Sequence, residues 1–385
     1  RITMPYLVMI SLVALWSALL NTHRIFWPGA AAPILLNLAL IVGAIFVFFS
    51  SEGLSKETIL ASTIPLAYSV LIAGLLQLLL LKIVLLKNQL NPSWRWTGIT
   101  NAGKKMWRSF LPAAFSAGSV QINIFVDMIL ASLLQVGAIS WLYYSDRINQ
   151  LPLGIIGIAL GTALLPHLAK LYANGKIQEM QDSLSDSLYL ASFFTLPAAA
   201  ALIVLSSVII SGIFGYGAFD EADVEATAGA LVAYAVGLPA FVFQKLFQVV
   251  LYASNRPSII LVISSITVLS NIILSIILMQ SVGHIGLALG SSISIWGSTL
   301  YLAYLLMKEG YLIKNTLIRL LPVIMFCILM GVLLILLERW LSNMLSLDIY
   351  VLALLVVSGL VFYFGIAYST GCAPKGFIKK TSLKN

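Results

Sequence analysis

The stretch SWLYYSDRINQLPLGIIGIALG, residues 140–161, sets an Asp146–Arg147 pair between an aromatic cluster and a glycine-spaced apolar segment. A charge at bilayer depth is costly and normally faces a protein interior or a water-filled cavity. If the surrounding chain is membrane-embedded, the pair predicts a polar site inside a helix bundle. The question is then which negative group Arg147 meets.

The composition is that of a membrane protein. Of 385 residues, 60% are hydrophobic and only 9% are charged, whereas soluble domains have roughly 25% charged residues. The net charge of +8 does not indicate nucleic acid, because membrane proteins collect Lys and Arg on cytoplasmic loops. Cys327 and Cys372 stand far apart, with no CxxC or Cys/His cluster, so neither a metal site nor a disulfide is expected.

Apolar segments long enough to span a bilayer follow one another through the whole chain. A spanning helix needs about 20 mostly apolar residues, and the connections are too short to hold a soluble domain. We therefore predict an all-α polytopic membrane protein with about eleven spans. They are residues 3–21, 30–50, 57–86, 109–134, 137–168, 184–212, 224–253, 257–280, 285–307, 316–337 and 348–369.

The basic residues predict the orientation. One set of alternate loops, together with the C-terminal tail, holds 17 of the 22 Lys and Arg residues. The other set holds Arg1, Lys56 and Arg339 and the acidic cluster at residues 220–225. Because cytoplasmic loops are enriched in basic residues, the C-terminus is expected in the cytoplasm and Arg1 on the outer side. Arg147 and Lys245 fall inside spans.

Asp127 and Arg147 are the ionisable groups of two consecutive spans. A lone Asp in a span costs about 2.5 kcal/mol or more, so Asp127 needs a partner, a proton or a cation. One interpretation has Arg147 pairing with Asp127 or Asp146 as internal support. The other has Arg147 binding an anion, because its planar fork donates two parallel hydrogen bonds to phosphate.

Further polar candidates lie in later spans. Lys245 is a second buried cation, or it extends to the cytoplasmic interface. Asn271, Ser275 and Ser291 could surround a small cation such as Na⁺ together with Asp127, or simply join helices by hydrogen bonds. After Pro152, the small residues Gly154, Gly157 and Gly161 allow close helix packing or a bend.

Known catalytic or nucleotide-binding motifs are absent from the sequence. The three histidines stand singly without a nucleophile partner, and no GxxxxGK phosphate loop occurs. An enzyme is therefore not expected, and no cofactor is predicted. The energy for any transport would come from an ion gradient such as Na⁺, from membrane potential or from a separate process.

The run SWLYYSDRINQLPLGIIGIALGTALLPHLAK, residues 140–170, resembles the MurJ (MviN) lipid II flippases of bacteria. Residues 5–41 and the stretch from FGYGAFD to ASNRP, residues 214–257, are similar to the same family. These flippases belong to the multidrug/oligosaccharidyl-lipid/polysaccharide (MOP) exporter superfamily. The resemblance implies fourteen helices in two six-helix lobes around a central cavity, with a final helix pair forming a lipid groove.

On this resemblance the eleven spans correspond to the fourth to fourteenth family helices, so about three helices would precede Arg1. The implied domains are 1–107 for the rest of the first lobe with an interfacial linker, 108–310 for the second lobe, and 311–385 for the lipid groove and tail. The expected location is the bacterial inner membrane, crossed many times.

The resemblance also implies a substrate and a site. The substrate is lipid II, undecaprenyl-pyrophosphate carrying a disaccharide-pentapeptide, moved between leaflets by alternating access; membrane lipids and the cell-wall synthesis machinery are the further partners. Arg147 matches the essential cavity arginine, with Asp146 and Ser140 beside it. Gln121 lies on a cavity-facing helix, and Asn149 stands where some members carry Glu. The alternative is a related exporter of another lipid-linked oligosaccharide or of a drug.

Overall fold

The computed structural model describes residues 2–50, 64–90, 103, 107, 121, 124–254, 256–312, 318–342 and 348–374. These ranges are helical apart from short connections, and no β-strand occurs within them. The chain divides into two compact units, Arg1–Asn101 and Ala102–Asn385. The all-α fold class is thereby confirmed.

The first unit contains α1 (Met4–Thr22), α2 (Trp27–Ser50) and α3 (Ile64–Lys87). Gln77 on α3 is fully buried, and its Nε2 donates to the carbonyl of Ala32 on α2 over 2.8 Å. Tyr6 on α1 donates its hydroxyl to Gln77 Oε1 over 3.5 Å. Because a buried amide needs hydrogen-bond partners, Gln77 joins all three helices.

The second unit contains a helical segment at 124–132 and the remaining helices. They are α4 (Ala138–Pro152), a π-helical turn (Leu153–Ile158), α5 (Ala159–Ala173), α6 (Ile177–Val204), α7 (Ser206–Phe214), α8 (Glu221–Ala253), α9 (Pro257–Val282), α10 (His284–Lys308), α11 (Leu321–Ser342) and α12 (Asp348–Ser369).

Helix α8 is the centre of this unit. It is 33 residues long, is buried along most of its length, and packs against α4, α5, α6, α7 and α10. Small residues let its neighbours approach: a Cβ on Gly237 would lie 2.5 Å from Ser292 Oγ on α10. Close backbone approach through small residues is the usual way in which membrane helices associate.

Helices α9 and α10 form a hairpin that turns at Gly283, where φ is 59°. At its other end, Arg256 and Glu309 form an ion pair of 2.5 Å just outside the two helices. The hydrogen bond from the Arg256 guanidinium to Glu309 raises the pKa of Arg256 above its ordinary value. Helices α11 and α12 pack on each other, α11 on α6 and α12 on α7.

Within the described residues, nine helices are long and apolar enough to cross a membrane: α1, α2, α3, α6, α8, α9, α10, α11 and α12. Their ends lie within several residues of the predicted spans, except that the span predicted at 184–212 is divided at Leu205 between α6, which starts earlier at Ile177, and α7. The predicted span at 109–134 and the linker at 87–108 lie mostly outside the described residues. The total of eleven spans therefore stays a prediction, as do the three domain ranges.

The predicted span at 137–168 is present as a helix with an interruption. Pro152 ends α4, and the chain continues through the π-helical turn before α5 begins. Proline removes a backbone donor and clashes with the preceding turn, and π-turns inside helices are frequent at functional sites. At Gly154 no close packing is seen within the described chain, because a Cβ there would meet none of its atoms within 4 Å.

Candidate functional site

A cavity of about 510 Å³ lies in the second unit among the 124–132 segment, α4, the π-turn, α8 and α10. Three ionisable side chains line it, Asp127, Asp146 and Lys245. Since charges inside a bilayer-spanning bundle face a cavity or a partner, we call this space the polar cavity. Its other polar lining residues are Tyr143, Asn149, Gln150, Tyr234 and Ser291.

One face of helix α4 lines the polar cavity. Asp146, Asn149 and Gln150, at positions i, i+3 and i+4, line the polar cavity. Asp146 accepts a hydrogen bond from Gln150 Nε2. Residues three and four apart share one face of a helix, so these three, with Ile139, Leu142 and Tyr143, belong to the α4 wall of the cavity.

Arg147 lies on another face of α4 and does not line the polar cavity. It is exposed, and its guanidinium carbon lies 4.8 Å from the centre of the Tyr143 ring, a cation–π contact. In the described part of the chain, Arg147 forms no ion pair with a carboxylate, and so the internal pairing with Asp127 or Asp146 is not seen. Ser140 is exposed on the same face, seven residues earlier.

Asn149 is only 3% exposed. Its Oδ1 accepts no hydrogen bond from the residues that the structure describes. A buried acceptor left in this state costs roughly 1–3 kcal/mol. The α4 wall therefore contains an acceptor for which the described chain supplies no donor.

Asp127, Asn271, Ser275 and Ser291 come together in one hydrogen-bonded network. Asn271 Nδ2 donates to Asp127 Oδ2 over 3.4 Å. Asn271 Oδ1 accepts from Ser275 Oγ over 3.2 Å and from Ser291 Oγ over 3.3 Å. The network joins the 124–132 segment, α9 and α10, and it places oxygen atoms of all four predicted residues within a small volume.

The network differs from a typical transition-metal site. In the described ranges no group of three or more His, Cys, Asp or Glu side chains is close enough to hold a metal ion. One carboxylate with amide and hydroxyl oxygens is instead a donor set suited to a hard cation. Cys327 and Cys372 are both free thiols.

Lys245 is half-buried on α8 and lines the polar cavity opposite α4. It forms no ion pair with the carboxylates of the described chain. Gln121 is exposed and is not among the residues that line the cavity. Of the predicted site residues, Asp127, Asp146, Asn149, Lys245 and Ser291 therefore share this cavity.

Sequence reasoning missed Tyr143, Gln150 and Tyr234 as polar lining residues. Tyr234, Phe241 and Lys245 recur at i, i+7 and i+11 on α8, which is one helical face, and all three line the cavity. This spacing could have been recognised in the sequence, because it places Tyr234 on the same helix face as Lys245, which was already a candidate buried cation.

A second cavity of about 500 Å³ lies among α6, α8 and α11. Its lining is almost wholly apolar, and the small residues Gly331, Ala199 and Ala200 leave the space open. We call it the apolar groove. Its apolar lining suits a hydrocarbon chain, which would be removed from water there.

A family model described as lipid II flippase MurJ matches residues 1–356. The chain belongs to the MurJ family. Among MurJ relatives, a probable lipid II flippase of Rickettsia prowazekii is 32% identical over 96% of this chain and 72% of its own length. One from Rhizobium tropici is 33% identical over 98% of this chain and 71% of its length.

A solved MurJ structure in an inward-closed conformation matches with a TM-score of 0.76 at 26% identity, covering 94% of this chain and 72% of that one. The resemblance stated from the sequence is thus confirmed. Membership of the MurJ family also confirms a transporter and not an enzyme. With nine apolar helices of spanning length in its described ranges, the chain is a multi-pass membrane protein.

Proposed function

We propose that the protein moves lipid II from the inner to the outer leaflet of the bacterial cytoplasmic membrane by alternating access. The observation that carries the proposal is the polar cavity, with three ionisable side chains, inside an apolar helix bundle of the MurJ family. The lipid II head group is large, polar and anionic. It needs a polar path, because unpaired charge in hydrocarbon is very costly.

Arg147 binds the pyrophosphate in this proposal. Its guanidinium is exposed on α4 and contacts the Tyr143 ring, and within the described residues no carboxylate forms an ion pair with it. Arginine stays charged at all physiological pH values and donates in parallel to phosphate oxygens. Ser140 and Gln121 are proposed to assist, while Asp146 and Asn149 contact the head group from the cavity wall.

The network of Asp127, Asn271, Ser275 and Ser291 is our proposed site for Na⁺. Four oxygen-bearing side chains meet there, and only one carries a charge. Binding of a monovalent cation would offset the cost of the buried carboxylate. Membrane potential, acting on Lys245 and Arg147, is the alternative source of energy, and simple helix–helix hydrogen bonding is the alternative role for the network.

The undecaprenyl tail is proposed to stay in an apolar environment while the head group crosses. Helices α11 and α12 are the elements that we propose to guide it, and the apolar groove along α11 supports this proposal. An apolar chain placed there loses contact with water and gains dispersion contacts.

The proposed location is the inner membrane, with the C-terminus in the cytoplasm. The distribution of basic residues supports this orientation, because 17 of 22 lie on the loops assigned to the cytoplasm. The cell-wall synthesis machinery is the expected consumer of the product at the outer surface.

The deciding experiment depletes the full-length protein in cells and measures lipid II on the outer leaflet with an externally added enzyme. Loss of exposed lipid II, with accumulation inside, supports the proposal. Normal exposure would overturn it. Accumulation of a different lipid-linked oligosaccharide, or drug sensitivity alone, would favour the alternative exporter.

A further inference from the structure

The N-terminal ends of α4 and α8 are joined by a hydrogen bond between Trp141 and Asp223. Trp141 is 9% exposed, and its Nε1 donates to Asp223 Oδ1 over 2.7 Å. The other carboxylate oxygen, Oδ2, accepts from the backbone N–H of Asp220 over 3.2 Å. One carboxylate thus closes the capping box of α8 and holds a side chain of α4.

A second contact lies one turn further along both helices. Ser145 is fully buried, and its hydroxyl oxygen lies 2.6 Å from the carbonyl oxygen of Trp141 on its own helix and 2.8 Å from that of Thr227 on α8, so its single hydrogen is shared between the two acceptors. The spacing from Trp141 to Ser145 is four residues, and so is the spacing from Asp223 to Thr227. Residues four apart share a helix face, so the two contacts join the same face of α4 to the same face of α8, one helical turn apart.

His284 at the start of α10 packs against Trp141 of the first contact. Its ring centre lies 4.9 Å from that of Trp141, and its Nε2 lies 2.9 Å from the carbonyl oxygen of Ala226 on α8. Gly137 also lies close to the indole, since a Cβ there would come within 2.7 Å of Trp141 Cζ2. The indole is therefore held in one position by three elements.

These contacts fix the rotation of α4 about its own axis. With Trp141 and Ser145 turned toward α8, Asp146 lines the polar cavity and Arg147 is exposed elsewhere. Successive residues of an α-helix diverge by about 100°. A rotation of α4 by one position would therefore bring Arg147 to the place of Asp146 and reverse the charge of the cavity wall.

We propose that Trp141 and Asp223 are a pair of positioning residues that set the rotation of α4, and so decide which of the two adjacent charges faces the cavity. Neither side chain lines the polar cavity. The pair acts on transport through Asp146 and Arg147, so the effect on transport rests on the proposed function. Asp223, one of the acidic residues at 220–225, thereby contacts Trp141 of the neighbouring helix α4.

The test uses the full-length protein with its natural cysteines replaced. Trp141→Phe keeps the ring beside His284 but removes the donor, and Asp223→Ala removes the acceptor. We expect both to lower lipid II transport at least fivefold at equal amounts of protein in the membrane. Asp223→Asn keeps an acceptor oxygen and should stay within about twofold of wild type. Asp220→Ala, which weakens only the capping box, is the matched control with the same expectation.

A labelling measurement reports the rotation without reference to any substrate. A cysteine at Ile148, which is 8% exposed, should react slowly with maleimide in the parent and at least fivefold faster with Trp141→Phe or Asp223→Ala. A cysteine at the exposed Ser281 should react at the same rate in all backgrounds. An unchanged rate at position 148 would overturn the proposal, even if transport fell. If labelling changes as expected but the parent itself moves no lipid II, the proposed function fails and the positioning role stands.

Discussion

Asn271 on α9 donates a hydrogen bond to Asp127 across 3.4 Å, although 144 positions separate the two residues in the chain. The same amide accepts hydrogen bonds from two serines. A carboxylate, an amide oxygen and two hydroxyl oxygens are therefore gathered at the edge of the polar cavity. This arrangement leads to the first prediction.

Sodium should stabilise the purified full-length protein against heat, and Asp127→Asn should remove that effect. A ligand that binds the folded state alone adds about 2.7 kcal/mol when present at 100 times its Kd. The measurement is Tm in NaCl against choline chloride at equal ionic strength. Asp182→Asn, which changes an exposed carboxylate on α6, is the control and should keep the full sodium response. An equal response in Asp127→Asn would leave only the helix-joining role for the network.

Replacing Arg147 by Ala should lower transport at least about 100-fold, because two charge-assisted hydrogen bonds are lost, each worth roughly 1.5–3 kcal/mol. Arg147→Lys keeps the charge but loses the planar fork, and a loss of about tenfold is expected. Transport is measured as outer-leaflet lipid II at matched protein levels.

Arg319→Lys is the control for the arginine series. Arg319 forms an exposed ion pair with Asp186 over 3.2 Å, and such pairs contribute only about 0–1 kcal/mol. Near-normal transport is expected. Wild-type transport by Arg147→Ala would remove this residue from the site.

Gly137→Ala should lower Tm more than the same change at Gly175 or Gly365. Gly137 has φ of 102°, and a new Cβ would lie 2.7 Å from the Trp141 ring. Gly175→Ala carries a positive φ of 70° without a close contact, so it shows the backbone strain alone, about 1–2 kcal/mol. Gly365→Ala, with neither feature and inside α12, should leave Tm unchanged or raise it slightly, because Ala favours helix more than Gly does. Equal Tm values for the first two variants would show that the indole moves aside freely.

Filling the apolar groove should slow transport without unfolding the protein. Gly331→Trp places an indole toward a space of about 500 Å³, and its Cβ has ordinary contact at 3.6 Å with Val204 Cγ2. We expect about a tenfold loss if the prenyl tail uses this groove. Leu329→Trp adds the same bulk on an exposed position of α11 and should have little effect. Full transport by Gly331→Trp would place the tail elsewhere.

Several features could be predicted from residues that are close in sequence. Long apolar runs give helices of bilayer length because every backbone polar group must be satisfied inside hydrocarbon. Pro152 marks the change from α4 to the π-turn for a local reason, the missing backbone donor. The approximate bounds of α9 and α10 and the special nature of Asp146, Arg147 and Asp127 follow in the same way.

Other features depend on contacts that no local pattern contains. The sequence could state that Asp146 and Arg147 point in different directions, but not which of them faces the polar cavity. That choice depends on Trp141 and Ser145 meeting Asp223 and Thr227, 82 positions away in each case. The acidic cluster could likewise not reveal that one of its carboxylates closes a cap and holds an indole.

The sequence by itself thus determined an all-helical membrane protein, its family, and the short set of polar side chains that a bilayer would not tolerate without a purpose. Those conclusions rest on hydrophobicity, helix period and motif, which are properties of neighbouring residues. Only the tertiary structure decided that Asp127, Asn271, Ser275 and Ser291 form one network and that Asp146 lines the cavity while Arg147 does not. Helix rotation and partner choice are set by packing between distant segments, and that information exists only once the helices have assembled.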